Sequence, residues 1–144
     1  MGDSKVQQSM GKYVSAHAEI LYVEDELDLL FLVSKRLEWE GFHVETATTV
    51  EEAHAALERH TPDILLLDLM LPDGSGLSVL SEVREKGRQR NLPVIVLTGV
   101  GHNEAIEEGF SKGANAYLTK PVSTEKLMQA IQVILEEKFA QKPS

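Results

Sequence analysis

The sequence contains no cysteine. That excludes disulfides and thiolate metal sites, and it fits a reducing compartment. No apolar run approaches the ~20 residues a helix needs to span a bilayer. Residues 1–17 are polar and hold no apolar signal-peptide stretch. Basic residues are in deficit: 14 Lys+Arg against 23 Asp+Glu give a formal net charge of −9. Phosphate backbones select basic faces, so this balance argues against a nucleic-acid surface. The composition is otherwise that of an ordinary globular protein, with 42% apolar and 26% charged residues. A chain of 144 residues suits one domain with a real core. The open question is where the surplus carboxylates sit.

Residues 1–18 are small and polar with weak periodicity, and read as a flexible N-terminal extension. After them, short apolar runs alternate with helical periods. Ile20-Leu21-Tyr22-Val23 has strand length and ends in Glu24-Asp25-Glu26. Residues 28–40 are helical, with Leu29, Leu30, Val33 and Leu37 on one face, Trp39 packing near the end and Gly41 as the stop. His43 to Ala47 alternates like a strand. Thr49 and Glu52 form a capping box for a helix whose face carries Val50, Ala53, Ala56 and Leu57. Ile64-Leu65-Leu66-Leu67 is a second buried strand, closed by Asp68, and the loop Leu71-Pro72-Asp73-Gly74-Ser75-Gly76 is rich in turn residues. Leu77, Leu80 and Val83 mark a third helix. Pro93 to Leu97 is a strand ending at Thr98. Residues 103–112 form a short acidic helix stopped by Gly113. Ala116-Tyr117-Leu118 is a last strand, ending near Lys120-Pro121. Residues 123–138 form the final helix, with Leu127, Ile131 and Ile134 inward.

Five βα units in succession imply an α/β fold, a parallel sheet with helices on both faces and right-handed crossovers. The most apolar strands are apolar at every position, as strands covered on both sides must be. In such sheets ligands bind at the carboxyl ends of the strands. Those ends carry Glu24-Asp25-Glu26, Asp68, Thr98 and Lys120. Grouped carboxylates repel one another, and a hard divalent cation such as Mg²⁺ relieves that repulsion through oxygen ligands. A carboxylate is also a nucleophile for a phosphoryl group. Lys120 would neutralise charge on that group, and Thr98 would hydrogen-bond one of its oxygens.

Four stretches resemble the receiver (CheY-like) domain of two-component response regulators. They are Ile20-Leu21-Tyr22-Val23-Glu24-Asp25-Glu26, Asp63 through Gly74, Pro93-Val94-Ile95-Val96-Leu97-Thr98-Gly99, and Gly113 through Pro121. The resemblance implies a flavodoxin-like (βα)5 fold, doubly wound, with a five-stranded parallel sheet in the order 2-1-3-4-5. It implies a receiver domain over residues 19–139 and a C-terminal tail over 140–144. It implies that Asp68 accepts phosphate from a phosphohistidine on a sensor histidine kinase or histidine phosphotransfer protein. Glu24, Asp25, Asp68 and the main-chain carbonyl of Met70 would hold Mg²⁺, or Mn²⁺ in its place. Thr98 would move towards the phosphoryl group and Tyr117 would turn inward, changing the face built by the fourth helix, fifth strand and fifth helix. The Lys120-Pro121 bond is expected to be cis, which X–Pro bonds tolerate. Such a domain is a signalling phospho-acceptor that catalyses its own phosphorylation and dephosphorylation rather than an enzyme. It is expected in the cytoplasm, away from membrane and nucleic acid, acting on a downstream protein or on an output domain outside this sequence.

Departures from the family pattern carry their own expectations. Glu24 stands where Asp is commoner, and Gly99 where Ala is usual. The positions that tune dephosphorylation are Met70 and Val100; neither can position an attacking water, which implies a long-lived phosphoryl group. Asn115-Ala116 replaces the Asp-Asp pair used for dimer salt bridges, and the fourth helix reads Glu104, Glu107, Glu108, so a monomer or a weak phosphorylation-dependent dimer is expected. A haloacid-dehalogenase-like phosphatase needs a second acid two residues after its nucleophile, where this chain has Met70. A flavodoxin-like cofactor binder needs a phosphate loop where this chain has Glu24-Asp25-Glu26. Arg84, Lys86, Arg88 and Arg90, at the end of the third helix, read as complements of its dipole.

Overall fold

The computed structural model describes residues 17–85, 87–99 and 113–140. Their order is β1 (Glu19–Val23), α1 (Leu27–Trp39), β2 (His43–Ala47), α2 (Val50–Arg59), β3 (Ile64–Asp68), β4 (Met70–Leu71), β5 (Gly74–Ser75), α3 (Gly76–Glu85), a 3-10 turn (Gly87–Gln89), β6 (Val94–Thr98), β7 (Ala116–Thr119) and α4 (Thr124–Ala140). The helix expected over 103–112, with Glu104, Glu107 and Glu108, lies outside the described residues, as do Lys86, Val100 and nearly all of the N-terminal extension.

One sheet runs β2-β1-β3-β6-β7 with every neighbouring pair parallel, which is the expected 2-1-3-4-5 order of its five strands. β3 and β6 are buried at every residue, and β1 at all but the first. Alternate side chains of these strands feed two core layers. Leu65, Leu67, Val94 and Val96 pack with Ala53, Ala56 and Leu57 of α2 and with Val79, Leu80 and Val83 of α3. Ile64, Leu66, Ile95 and Leu97 pack with Leu30, Val33 and Leu37 of α1 and with Leu127, Ile131 and Leu135 of α4. Each such aliphatic side chain stabilises the fold by about 1.5–3 kcal/mol when fully buried. Ala18 already belongs to the second layer, and its carbonyl accepts the His43 N–H at 3.0 Å. Among the described residues no helix is long and apolar enough to cross a membrane.

Several local expectations change in detail. Trp39 does not pack: it is 79% exposed, with the Arg36 guanidinium carbon 5.8 Å from its ring centroid. It sits two residues past the inward Leu37, which turns it about 200° away from the sheet on a helix of 3.6 residues per turn. Thr49 accepts the Glu52 N–H at 3.0 Å as a cap should, but Glu52 accepts from the N–H and hydroxyl of Thr48, not from Thr49. The turn-rich loop closes on a small antiparallel hairpin, β4 with β5, pairing Met70 with Ser75 and Leu71 with Gly74.

Arg84 does more than complement a helix dipole. Its guanidinium donates to the carbonyls of Gly113 (2.6 and 3.0 Å), Leu92 (2.7 Å) and Arg90 (3.1 Å), and to Asn115 Oδ1 (3.0 Å). Asn115 Oδ1 also accepts the Val94 N–H at 2.8 Å. The end of α3 is thus clamped to the entrances of β6 and β7. The asparagine that replaces an acid of the family pattern is one of the anchors.

Candidate functional site

Parallel pairing brings the strand ends to one level. Val23 lies beside Leu67, Asp68 beside Leu97, and Thr98 beside Thr119. The next backbone groups continue the ladder, with Glu24 N–H on the Ala47 carbonyl (2.9 Å) and Lys120 N–H on the Thr98 carbonyl (2.7 Å). Glu24, Asp68, Thr98 and Lys120 therefore converge, as the sequence implies. One oxygen each from Glu24, Asp25 and Asp68 lie within 4.8 Å of one another. Glu24 and Asp68 are buried, and Asp25 is exposed at the mouth.

Each buried carboxylate is held at two points. Glu24 Oε2 accepts the Glu26 N–H at 3.1 Å, and Asp68 Oδ1 accepts the Met70 N–H at 3.0 Å. Their other oxygens face one ammonium: Lys120 Nζ is 2.7 Å from Glu24 Oε1 and 3.0 Å from Asp68 Oδ2. Burial pushes the Glu24 carboxyl up to about 7; the Asp68 charge adds to the rise, and Lys120 opposes both. Burial alone would lower the Lys120 ammonium, but its contacts with Glu24 and Asp68 overcome this and raise it. The Lys120-Pro121 bond is cis, as expected.

The Thr98 hydroxyl is fully buried at the end of β6 and has no hydrogen-bond partner among the described residues. Leaving a buried hydroxyl unpaired costs about 1–3 kcal/mol. A ligand oxygen would recover it. Tyr117 is half-buried on β7, packed against the core layer of α2 and α3. Met70 lies exposed on β4 at the rim. Val100 lies outside the described residues.

Gly76 and Asp73 matter here and were not singled out from the sequence. Gly76 starts α3 directly against the end of β3: a Cβ there would lie 2.4 Å from the Asp68 carbonyl oxygen. Its N–H donates to the Leu69 carbonyl at 2.9 Å, closing the loop around Asp68. The available signal was a glycine at a helix start shortly after an acid-terminated strand. Asp73 accepts the N–H groups of Val50 (2.8 Å) and Glu51 (3.1 Å), fastening the loop after Asp68 to the first turn of α2.

The donor set fits a hard divalent cation. All its side-chain ligands are oxygens, and one carboxylate is exposed to complete a shell with water. Lys120 supplies positive charge between the two buried acids.

The response regulator receiver domain profile matches residues 20–132. The phosphate regulon transcriptional regulatory protein PhoB of Rhizobium meliloti is 38% identical over 117 residues, which cover 81% of this chain and 52% of that protein. The chain thus spans about half the length of the curated relatives it matches. A CheY-like receiver domain protein from Methanospirillum hungatei superposes with a TM-score of 0.83 at 30% identity, covering 88% of this chain and 99% of that one. The receiver domain of sensor histidine kinase PA1611 from Pseudomonas aeruginosa, solved with magnesium in its active-site cleft, gives 0.77 at 29% identity over 83% of this chain and 98% of that one. By profile, fold and relatives, the chain belongs to the receiver domain family of two-component response regulators.

Proposed function

We propose that Asp68 is the phospho-acceptor of a Mg²⁺-dependent switch, phosphorylated by a phosphohistidine of a sensor histidine kinase or histidine phosphotransfer protein. The observation that carries this reading is the convergence of three carboxylate oxygens within 4.8 Å, beside one ammonium shared by two of them. Glu24, Asp25, Asp68 and the Met70 carbonyl would hold Mg²⁺, with Mn²⁺ as a substitute. When bound, the ion neutralises the crowded acids and the oxygens of the incoming phosphoryl group.

The chain's own residues supply the rest. An Asp68 carboxylate oxygen attacks phosphorus as the P–N bond to the donor histidine breaks, and the imidazole leaves. The Met70 N–H on Oδ1 fixes the carboxylate plane. Lys120, next to Oδ2, moves its ammonium onto a phosphoryl oxygen. The Thr98 hydroxyl, unpaired among the described residues, donates to another. Its movement frees space for Tyr117 to turn inward, which changes the face around β7 and α4. Slow self-dephosphorylation resets the switch, with Met70 and Val100 unable to orient a water.

The receiver unit spans residues 19–139, between an extension (1–18) and a tail (140–144). It acts in the cytoplasm as a monomer or a weak phosphorylation-dependent dimer, on a downstream protein or an output domain, without contacting membrane or nucleic acid itself. Intact-mass measurement after incubation with acetyl phosphate and Mg²⁺ tests the reading. One added phosphoryl group per chain is expected, and none on Asp68→Asn.

A further inference from the structure

The N–H groups in the first turn of α2 donate to acceptors in two separate places. Thr49 Oγ1, its own cap, accepts from Glu52 N–H at 3.0 Å. The N–H groups of Val50 and Glu51 go instead to Asp73, more than twenty residues further along. The helix does not need that distant partner, because exposed N–H groups at a helix start can be served by water. The hairpin that carries Asp73 does need an anchor. It pairs two residues with two, a length that is unstable alone. Of residues 70–75 only Leu71 is buried. Gly74, at φ +154°, runs over Val50, whose Cγ2 would lie 3.7 Å from a Cβ there. The positive end of the α2 dipole favours a carboxylate at this spot. The bond from Val50 N–H chiefly, with that from Glu51 N–H, holds the Asp73 carboxyl below its ordinary range.

We propose that Asp73 is a positioning residue for the divalent-cation site: it straps the β4–β5 hairpin, and with it the Met70 main chain, to the first turn of α2. Met70 is the fixed point between the two ends. Its N–H orients Asp68 Oδ1, and its carbonyl is the one main-chain ligand of the proposed site. Without the strap, both lose their bearing relative to Glu24 and Asp25, which β1 holds independently. The inference rests on the cation reading under Proposed function.

The test uses the whole chain and Mn²⁺ alone as probe, with free Mn²⁺ read by electron paramagnetic resonance and no phosphodonor present. Asp73→Ala should weaken Mn²⁺ binding about tenfold, as loss of a ligand-orienting contact typically does. Asp73→Asn keeps one acceptor oxygen and should fall between Asp73→Ala and the parent. Thr49→Ala removes a cap from the same helix without touching the hairpin. It should lower the unfolding midpoint while leaving Mn²⁺ affinity at the parental value. Parental affinity in Asp73→Ala, or equal weakening in Thr49→Ala, overturns the strap. A parent chain that binds no Mn²⁺ overturns the cation reading instead.

Discussion

Gly76 passes so close to Asp68 that a Cβ on it would lie 2.4 Å from the Asp68 carbonyl oxygen. The contact is backbone to backbone, so no side chain can yield. Gly76→Ala must displace either the start of α3 or the end of β3. We predict a loss of about 1–3 kcal/mol in urea unfolding, the usual range for overpacking. Acyl phosphate formation should slow as well, because the displaced strand end carries Asp68.

Lys120 sits between two buried acids, so its removal has opposite effects on stability and on cation affinity. In Lys120→Ala, Glu24 and Asp68 face each other uncompensated. Breaking a buried pair from one side costs about 3–5 kcal/mol, and the metal-free protein should lose stability on that scale. Mg²⁺ no longer competes with the ammonium and should bind ~10-fold tighter. Calorimetric titration and denaturation on the same variant check both. Weaker Mg²⁺ binding would show that Lys120 organises the site rather than opposes the ion.

The acids at the strand ends were legible because parallel register is a simple rule. Once each apolar run is a strand, Glu24, Asp68, Thr98 and Lys120 must meet at one edge. The Asp73 strap and the Arg84 clamp were not legible. Both join residues far apart in the chain through backbone carbonyls or N–H groups, which leave no periodic trace. Trp39 is a related case: its size suggests packing, while helical phase turns it to solvent. Glu52 lies at the start of α2 as the capping pattern implies, but it bonds one residue earlier, to Thr48.

Glu24 makes the site pH-dependent. Burial raises its carboxyl from the ordinary 4.5 to about 7. A raised acid favours the folded state while protonated, so that contribution is lost as pH climbs from the ordinary value through about 7. Metal binding needs the ionised form, so Mg²⁺ affinity moves the other way. It should rise ~10-fold from pH 6 to pH 8. Titrations across that interval check this, and a flat profile contradicts it.

Arg84 carries a purely structural prediction. Arg84→Ala leaves the carbonyls of Gly113 and Leu92 without their donor. Losing charged hydrogen bonds of this kind costs about 1.5–3 kcal/mol each. A lowered urea midpoint is expected, with faster amide exchange at Asn115, whose N–H bonds the Val94 carbonyl.

If Met70 and Val100 tune dephosphorylation as proposed, the phosphoryl group should not decay within seconds at room temperature. Phosphate release after removal of the phosphodonor measures it. Decay within seconds would mean that another group orients the attacking water.

The most direct measurement locates the phosphoryl group. The chain is incubated with acetyl phosphate and Mg²⁺, trapped with borohydride, which reduces an aspartyl phosphate to homoserine, and mapped by peptide mass spectrometry. Conversion at position 68 alone, lost when EDTA replaces Mg²⁺, is the predicted result. Conversion at another carboxylate, or phosphorylation of Asp68→Asn at the parental rate, would contradict the account.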